Sequence, residues 1–408
     1  MNILTIVKIA WRNLWRSKLR SSVVILSVIF GIVGGIIIIA MSYGLNMERM
    51  NNAVDTYLSH IQIHNKKFSD DFNLRHTISN LSEIEEKINN DERVVSYSKR
   101  IILNGMLSNS NGSYGIQVKG VDPDQEVNVT NTYEKVIEGE YFKSSRDNTI
   151  LVGKKLADRL SLKIKSKVVV TFQDENNNLT SLLYRVEGIF RSGNSRYDDA
   201  NVFVRNSSIT KNLPNFSGFH EIPILLTDIE LKDEVKSELI PFSDENIVES
   251  WDDISKDLAY ANEMLAAVLY IFMMIILSGL SFGIVNTMLM AILERKKEIG
   301  MLMSIGMNRY KIFLMIGFET IFLTVVALPF GLLISYMLVE YYSVVGIDLS
   351  MVEAGLENFG VGTRLYFQLP TSDYYVVSGM VFVISLISSI FPSIRALKIN
   401  PVEATKSI

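Results

Sequence analysis

Cysteine is absent from all 408 residues. Its absence excludes a disulfide framework, a thiolate metal site and a lipidated N-terminal cysteine. A large domain outside a bacterial membrane can do without disulfides. Excess positive charge is also missing: the net charge is −4. No basic patch of the kind that neutralises phosphates stands out, which argues against a nucleic-acid partner. There is no G-x-x-x-x-G-K-[ST] loop to cradle ATP phosphates. Gly153-Lys154-Lys155 is the nearest fragment and lacks the upstream glycine and the hydroxyl. Neither a G-x-S-x-G elbow nor a Ser-His-Asp grouping can be argued from spacing. No catalytic residue, metal site or cofactor is therefore assigned to this chain, and ATP-driven work needs a separate subunit.

What the chain does have is four long apolar runs and one large polar block. The mean hydropathy of +0.22 averages over the two. Residues 21–47 and 264–293 carry no charge, and residues 312–339 carry only Glu319. Each run exceeds the roughly 20 apolar residues a bilayer crossing needs. The expected fold is a membrane protein of four transmembrane helices (21–47, 263–293, 312–339 and 374–394). A large α+β extracytoplasmic domain (48–262) is inserted between helices 1 and 2. Basic residues set the orientation. Lys8, Arg12, Arg16, Lys18 and Arg20 precede the first run; Arg295, Lys296, Lys297, Arg309 and Lys311 follow the second; Arg395, Lys398 and Lys406 follow the fourth. The outer loop 340–373 holds only Arg364 as a base. Both termini are thus expected in the cytoplasm, with a cytoplasmic tail at 395–408.

Residues 1–20 are expected to be a cytoplasmic interfacial segment, with an amphipathic helix over 2–16. Lys8, Arg12 and Arg16 form one stripe, while Leu4, Val7, Trp11, Leu14 and Trp15 lie largely on another side. In the first run, Gly31, Gly34 and Gly35 either admit a neighbouring helix closely or are merely tolerated. Within the polar block, 60–64 alternates as a half-buried strand does, 82–90 reads as a helix, and 94–121 as strands turning at Asn111-Gly112. Residues 149–160 read as a strand entering a helix. A second hairpin is expected from 167–172 and 181–190, and further strands at 200–204 and 221–226. Residues 247–261 read as a helical stalk. His60 and His64 could form a metal pair. With no third ligand in view, a solvated strand face around Gln62 is the preferred reading.

The segment 294–311, ERKKEIGMLMSIGMNRYK, is a short charged loop between the second and third runs. Its acids and bases are spaced for i,i+3 and i,i+4 pairs on a short helix. Ile299, Leu302, Met303 and Ile305 form an apolar set dense enough to dock into a partner groove. Glu319 lies about 12 Å inside the third run by helix rise. It either pairs with another helix or relays a conformational change, reaches water, or serves proton transport.

This segment resembles the signature after the second crossing in FtsX-like ABC permeases of the macrolide-exporter and lipoprotein-releasing type. The tail FPSIRALKINPVEA (391–404) is similar to their C-terminal pattern, and AWRNL (10–14) with KLR (18–20) to their start. VKGVD (118–122), ILVGKKLA (150–157) and YRVEGIF (184–190) resemble their periplasmic domain. The resemblance implies a dimeric permease in the bacterial inner membrane, pairing with a like or unlike second permease subunit above a cytoplasmic ABC ATPase that binds ATP and Mg. It also implies that Glu294, Arg295, Glu298, Ile299, Gly300 and Gly306, joined by Met303 of the apolar set, couple to that ATPase. Length and the lack of a fused ATPase suit the lipoprotein-releasing (LolC/LolE-like) branch, with membrane lipid and a periplasmic lipoprotein carrier as further partners. The alternatives are peptide or drug efflux, and a signalling permease that activates an outside hydrolase.

Overall fold

The computed structural model describes residues 3–399 apart from Ser145, Asn177, residues 243–244 and residues 357–360. The tail motif Pro401-Val-Glu403-Ala404 and Lys406 lie outside the described residues. Two compact units emerge: residues up to Leu45 with Asn262–Ile347 and those from Leu365 onward, and Asn46–Ala261 with Asp348–Arg364.

The first unit is helical. An N-terminal helix, Ile3–Arg16, is followed by the first long helix, Lys18–Ala53. The second long helix is Lys256–Glu294, the third Arg309–Val345 and the fourth Thr371–Leu397. A short elbow helix, Lys296–Ser304, sits between the second and third. Among the described residues, four helices are long and apolar enough to cross a membrane. Each extends past its apolar run, because backbone hydrogen bonding does not stop at the first charge as burial in lipid does. The apolar side of the N-terminal helix is divided. Ile6, Ala10 and Leu14 are buried, and the helix packs on the third long helix, where Trp11 meets the edge of Phe322 at 5.4 Å. Leu4 and Trp15 stay exposed.

Close helix approach uses two of the three mid-run glycines. A Cβ on Gly31 would lie 2.5 Å from Leu280, and one on Gly35 2.4 Å from the Met273 sulfur, whereas Gly34 has open space. Those neighbours are flexible side-chain ends. Gly44 is tighter: a Cβ there would sit 2.0 Å from the backbone oxygen of Tyr366. Gly44→Ala should therefore destabilise the helical unit by about 1–3 kcal/mol, with Gly34→Ala near wild type. Melting both variants in detergent checks this, and equal melting temperatures would contradict the packing argument.

The second unit is α+β. Its strands are β1 Ile61–Asn65, β2 Val94–Tyr97, β3 Ile101–Asn109, β4 Gly112–Val121, β5 Val136–Gly139, β6 Thr149–Gly153, β7 Lys167–Gln173, β8 Leu179–Phe190, β9 Asn201–Arg205, β10 Glu221–Leu226 and β11 Asn246–Ser250. A four-stranded antiparallel sheet has the order β11-β1-β10-β2. The larger sheet runs β5-β8-β6-β9-β4-β3-β7, and β7 also pairs with β8, so the ladder closes on itself. Strand β5 is left as an edge strand on β8, and closure removes the edges of the ring β8-β6-β9-β4-β3-β7. Alternating residues such as Leu103, Leu107, Val118, Val168, Val170, Val186 and Val202 fill its interior.

Three local expectations change. The β3–β4 turn centres on Ser110-Asn111, one residue before the Asn-Gly pair, because the Asn109 side chain accepts the Asn111 and Gly112 amides. Residues 247–250 are strand, not stalk helix: β11 buries Val248 and Ser250 beside β1, and helix starts only after Ser250, which forms a capping box with Asp253. The face of His60, Gln62 and His64 is not solvated. All three are buried; Gln62 donates to Leu58 O and His60 Nδ1 accepts the Leu226 amide.

Histidine burial gives the unit an acid-sensitive stability. His220 is stacked on Phe68 and Phe216, with Nδ1 accepting the Ile102 amide and Nε2 facing Leu74 O at 3.0 Å. Burial pushes it down to about 4. Burial also lowers His60 and His64. A folded-state pKa below the unfolded 6.5 means the unfolded chain binds more protons between those values, so stability rises with pH there. Acidifying from pH 7 to 4 should cost about 3 kcal/mol from His220 alone. Hydrogen exchange at the Ile102 amide is the readout, and protection unchanged between pH 7 and 4.5 would refute it.

Candidate functional site

The elbow is built by three local decisions. Arg295 leaves helical geometry (φ −99°, ψ 16°), which separates the second long helix from the elbow helix. Gly306 ends the elbow at φ +93°, a left-handed position where a Cβ is costly. There the Met307 amide bonds Leu302 O at 3.0 Å and the Gly306 amide bonds Met303 O at 3.1 Å, the two bonds of a Schellman cap. Asn308 then caps the third long helix by accepting the Tyr310 amide.

The elbow's charges form a connected chain. Arg16, at the end of the N-terminal helix, donates to both oxygens of Glu298, at 3.0 and 2.5 Å. Arg295 Nε donates to Glu298 at 3.2 Å, and its Nη1 to Glu319 at 3.0 Å. Arg20 donates to Glu294 at 2.9 Å. The carboxylate of Glu319, a residue only 7% exposed, is thus paired from the elbow. A cavity of about 20 Å³, the size of one water, lies beside it and is lined by Asn13, Arg20 and Thr287 among others. Burial pulls the Glu298 carboxyl up, but the bonds from Arg16 and Arg295 more than offset this and hold it below the usual range.

The named elbow residues do not share one face. Ile299 and Gly300 are buried, and Leu302 and Met303 are half-buried. Ile305 is 78% exposed, and Met301, not singled out in the sequence, is exposed too. The apolar set is therefore split: Ile299 packs inward while Met301 and Ile305 point out. Glu294, Arg295 and Glu298 join the ion chain, and Gly306 serves as the cap. Sequence reasoning took Arg16 and Arg20 as orientation charges and missed their partners. The available signal was spacing: arginines at 16 and 20 match acids at 294 and 298, both four apart.

Comparison with known proteins places this architecture. Residues 21–241, just over half the chain, match the MacB-like periplasmic core domain, and residues 270–401 match the FtsX-like permease C-terminal. The chain belongs to the FtsX-like, MacB-type permeases of ABC transporters. Among relatives of this permease is the lipoprotein-releasing system transmembrane protein LolC of Buchnera aphidicola subsp. Schizaphis graminum, 24% identical over 96% of each chain. The LolE protein of that system in Haemophilus influenzae is 23% identical over 98% of each. The macrolide export ATP-binding/permease protein MacB of Campylobacter jejuni is 21% identical over 97% of this permease and 60% of the longer protein.

Proposed function

We propose that this permease is the membrane subunit of a bacterial inner-membrane ABC transporter that releases lipoproteins to a periplasmic carrier. Its ends and elbow lie in the cytoplasm, where a separate ATPase binding ATP and Mg presses on the elbow helix. A second permease subunit, like or unlike, completes the assembly. The reading rests on one observation above others: the ion chain from Arg16 through Glu298 and Arg295 to Glu319, which ties the elbow to the helices before and after it. A push on Met301 or Ile305 would be transmitted through this chain and the packed Ile299 to the long helices. The LolC and LolE relatives, which align end to end, support the cargo class. Each buried acyl CH₂ is worth about 0.8 kcal/mol, so drawing a lipid anchor from a bilayer needs an outside energy source.

The MacB relative favours a second reading, export of a drug or peptide. Purification from native membrane, followed by reconstitution with the co-purifying ATPase, separates the two. ATP-dependent transfer of an acylated protein to a soluble acceptor supports release. Transfer of neither acylated protein nor acyl peptide, with export of a macrolide instead, overturns it. Cysteine labelling of the elbow and of residues 110–111 from the same side of sealed vesicles would overturn the topology.

A further inference from the structure

The inserted domain contains a cleft of about 490 Å³ that the transport reading does not use. Small-molecule sites occupy about 300–1,000 Å³. One wall is aromatic: Tyr57 stacks on Tyr197 at 4.2 Å, and Phe68 meets Phe72 edge-on at 5.3 Å. From β4, Lys119 enters this cleft although it is only 6% exposed. Its Nζ lies 5.3 Å over the Tyr197 ring. Among the described residues it has no hydrogen bond and no ion pair.

The acid that acts on it most strongly, Glu221, is already taken by Arg100, which also binds Glu126. Arg100, Lys119, Glu126 and Glu221 balance in charge, although burial still holds the Lys119 ammonium below its usual range. Its three N–H donors have no protein acceptor among the described residues and face the cleft. Such donors are free to bind a ligand that supplies the acceptor. The opposite charge is present too. Glu249 lines the same cleft with its side chain 26% exposed, and among the described residues its ion-pair neighbour is His64 Nε2 at 3.8 Å. Burial lowers His64 and so favours its neutral form.

We propose that this cleft binds a small zwitterion of the α-amino-acid type, its carboxylate on Lys119, its ammonium on Glu249 and an apolar side chain against the aromatic wall. Both signs of charge line this partly aromatic cavity, with Lys119 and Lys256 against Glu221, Glu249 and Asp253, and that mixture matches a zwitterion better than an anion alone. A polyanion would meet Glu249 and Asp253, which line the same space. The proposal does not depend on what the transporter carries.

Calorimetry on the full-length protein in lipid nanodiscs tests it, with phenylalanine, leucine and methionine as probes. At least one should bind saturably. N-acetylphenylalanine, which lacks the ammonium, and phenylalanine amide, which lacks the carboxylate, should each bind at least about tenfold more weakly than phenylalanine. Lys119→Met should abolish binding. Glu249→Gln, at a partly exposed position, should erase the preference for phenylalanine over its N-acetyl form while keeping carboxylate dependence. If Lys119→Met fails to fold, the analogue series on the wild-type protein and Glu249→Gln still decide. No saturable binding by any of the three amino acids would overturn the proposal. So would analogues that bind as well as phenylalanine, or a folded Lys119→Met protein that binds normally.

Discussion

Glu298→Lys should leave ATP hydrolysis by the reconstituted complex within about twofold of wild type while lowering cargo release at least about tenfold, a loss of some 1.4 kcal/mol in coupling. The substitution removes the bonds from Arg16 and Arg295 and puts a third positive charge between them. The fold should survive, because these are surface pairs. The Arg16 and Glu298 side chains are 65% and 37% exposed, and exposed pairs contribute about 0–1 kcal/mol each. What is lost is the fixed geometry by which the elbow helix is tied to its neighbours. Glu298→Gln keeps one acceptor and should fall between the two. Normal release by Glu298→Lys would remove the coupling role. Loss of both hydrolysis and release would place the residue in ATPase assembly instead.

In the inserted domain the largest stability loss should come from Arg100→Met, about 3–5 kcal/mol. The Arg100 side chain is 1% exposed. Its Nε donates to Glu126 at 3.1 Å, its Nη1 to Glu221, and also to Tyr57 O at 3.2 Å. Glu126 is further held by Ser98 and Thr130 hydroxyls at 2.7 and 3.0 Å. Removing the cation strands two buried carboxylates. Burial would raise the Glu221 carboxyl, yet Lys119 and Arg100 hold it down to about 2. In the wild type that depressed pKa supplies stability above the unfolded 4.5, and the stability is lost as pH falls toward the folded value. The variant should lose the Arg100 share of that pH dependence, Lys119 keeping the rest, as well as its baseline stability. Chemical denaturation followed by Trp251 fluorescence reads both, and a change under 1 kcal/mol would show the pairs to be dispensable.

The four long helices and the inserted α+β block were legible because they are written in local pattern. An uncharged run of twenty or more residues has one cheap conformation in lipid, and strands such as β7 and β8 alternate with period two. The acidic and basic residues of the elbow were visible as well. Their partners were not: Arg16 and Glu298 are 282 residues apart, and no periodicity links them. The same limit explains β11, whose strand state depends on β1 as a neighbour, and the burial of His60 and His64, which meet residues as distant in sequence as Leu226 and Glu249.

Sequence by itself determined which segments are apolar enough to cross a membrane, where the chain must turn, and that charge is concentrated at the elbow. Only the tertiary structure decided which of those charges meet, that Glu319 is paired with Arg295, and that Lys119 faces a cleft with no acceptor among the described residues. The physical reason is range. Backbone propensity and hydrophobic period act over a few residues, whereas pairing and burial are properties of surfaces brought together from hundreds of residues apart.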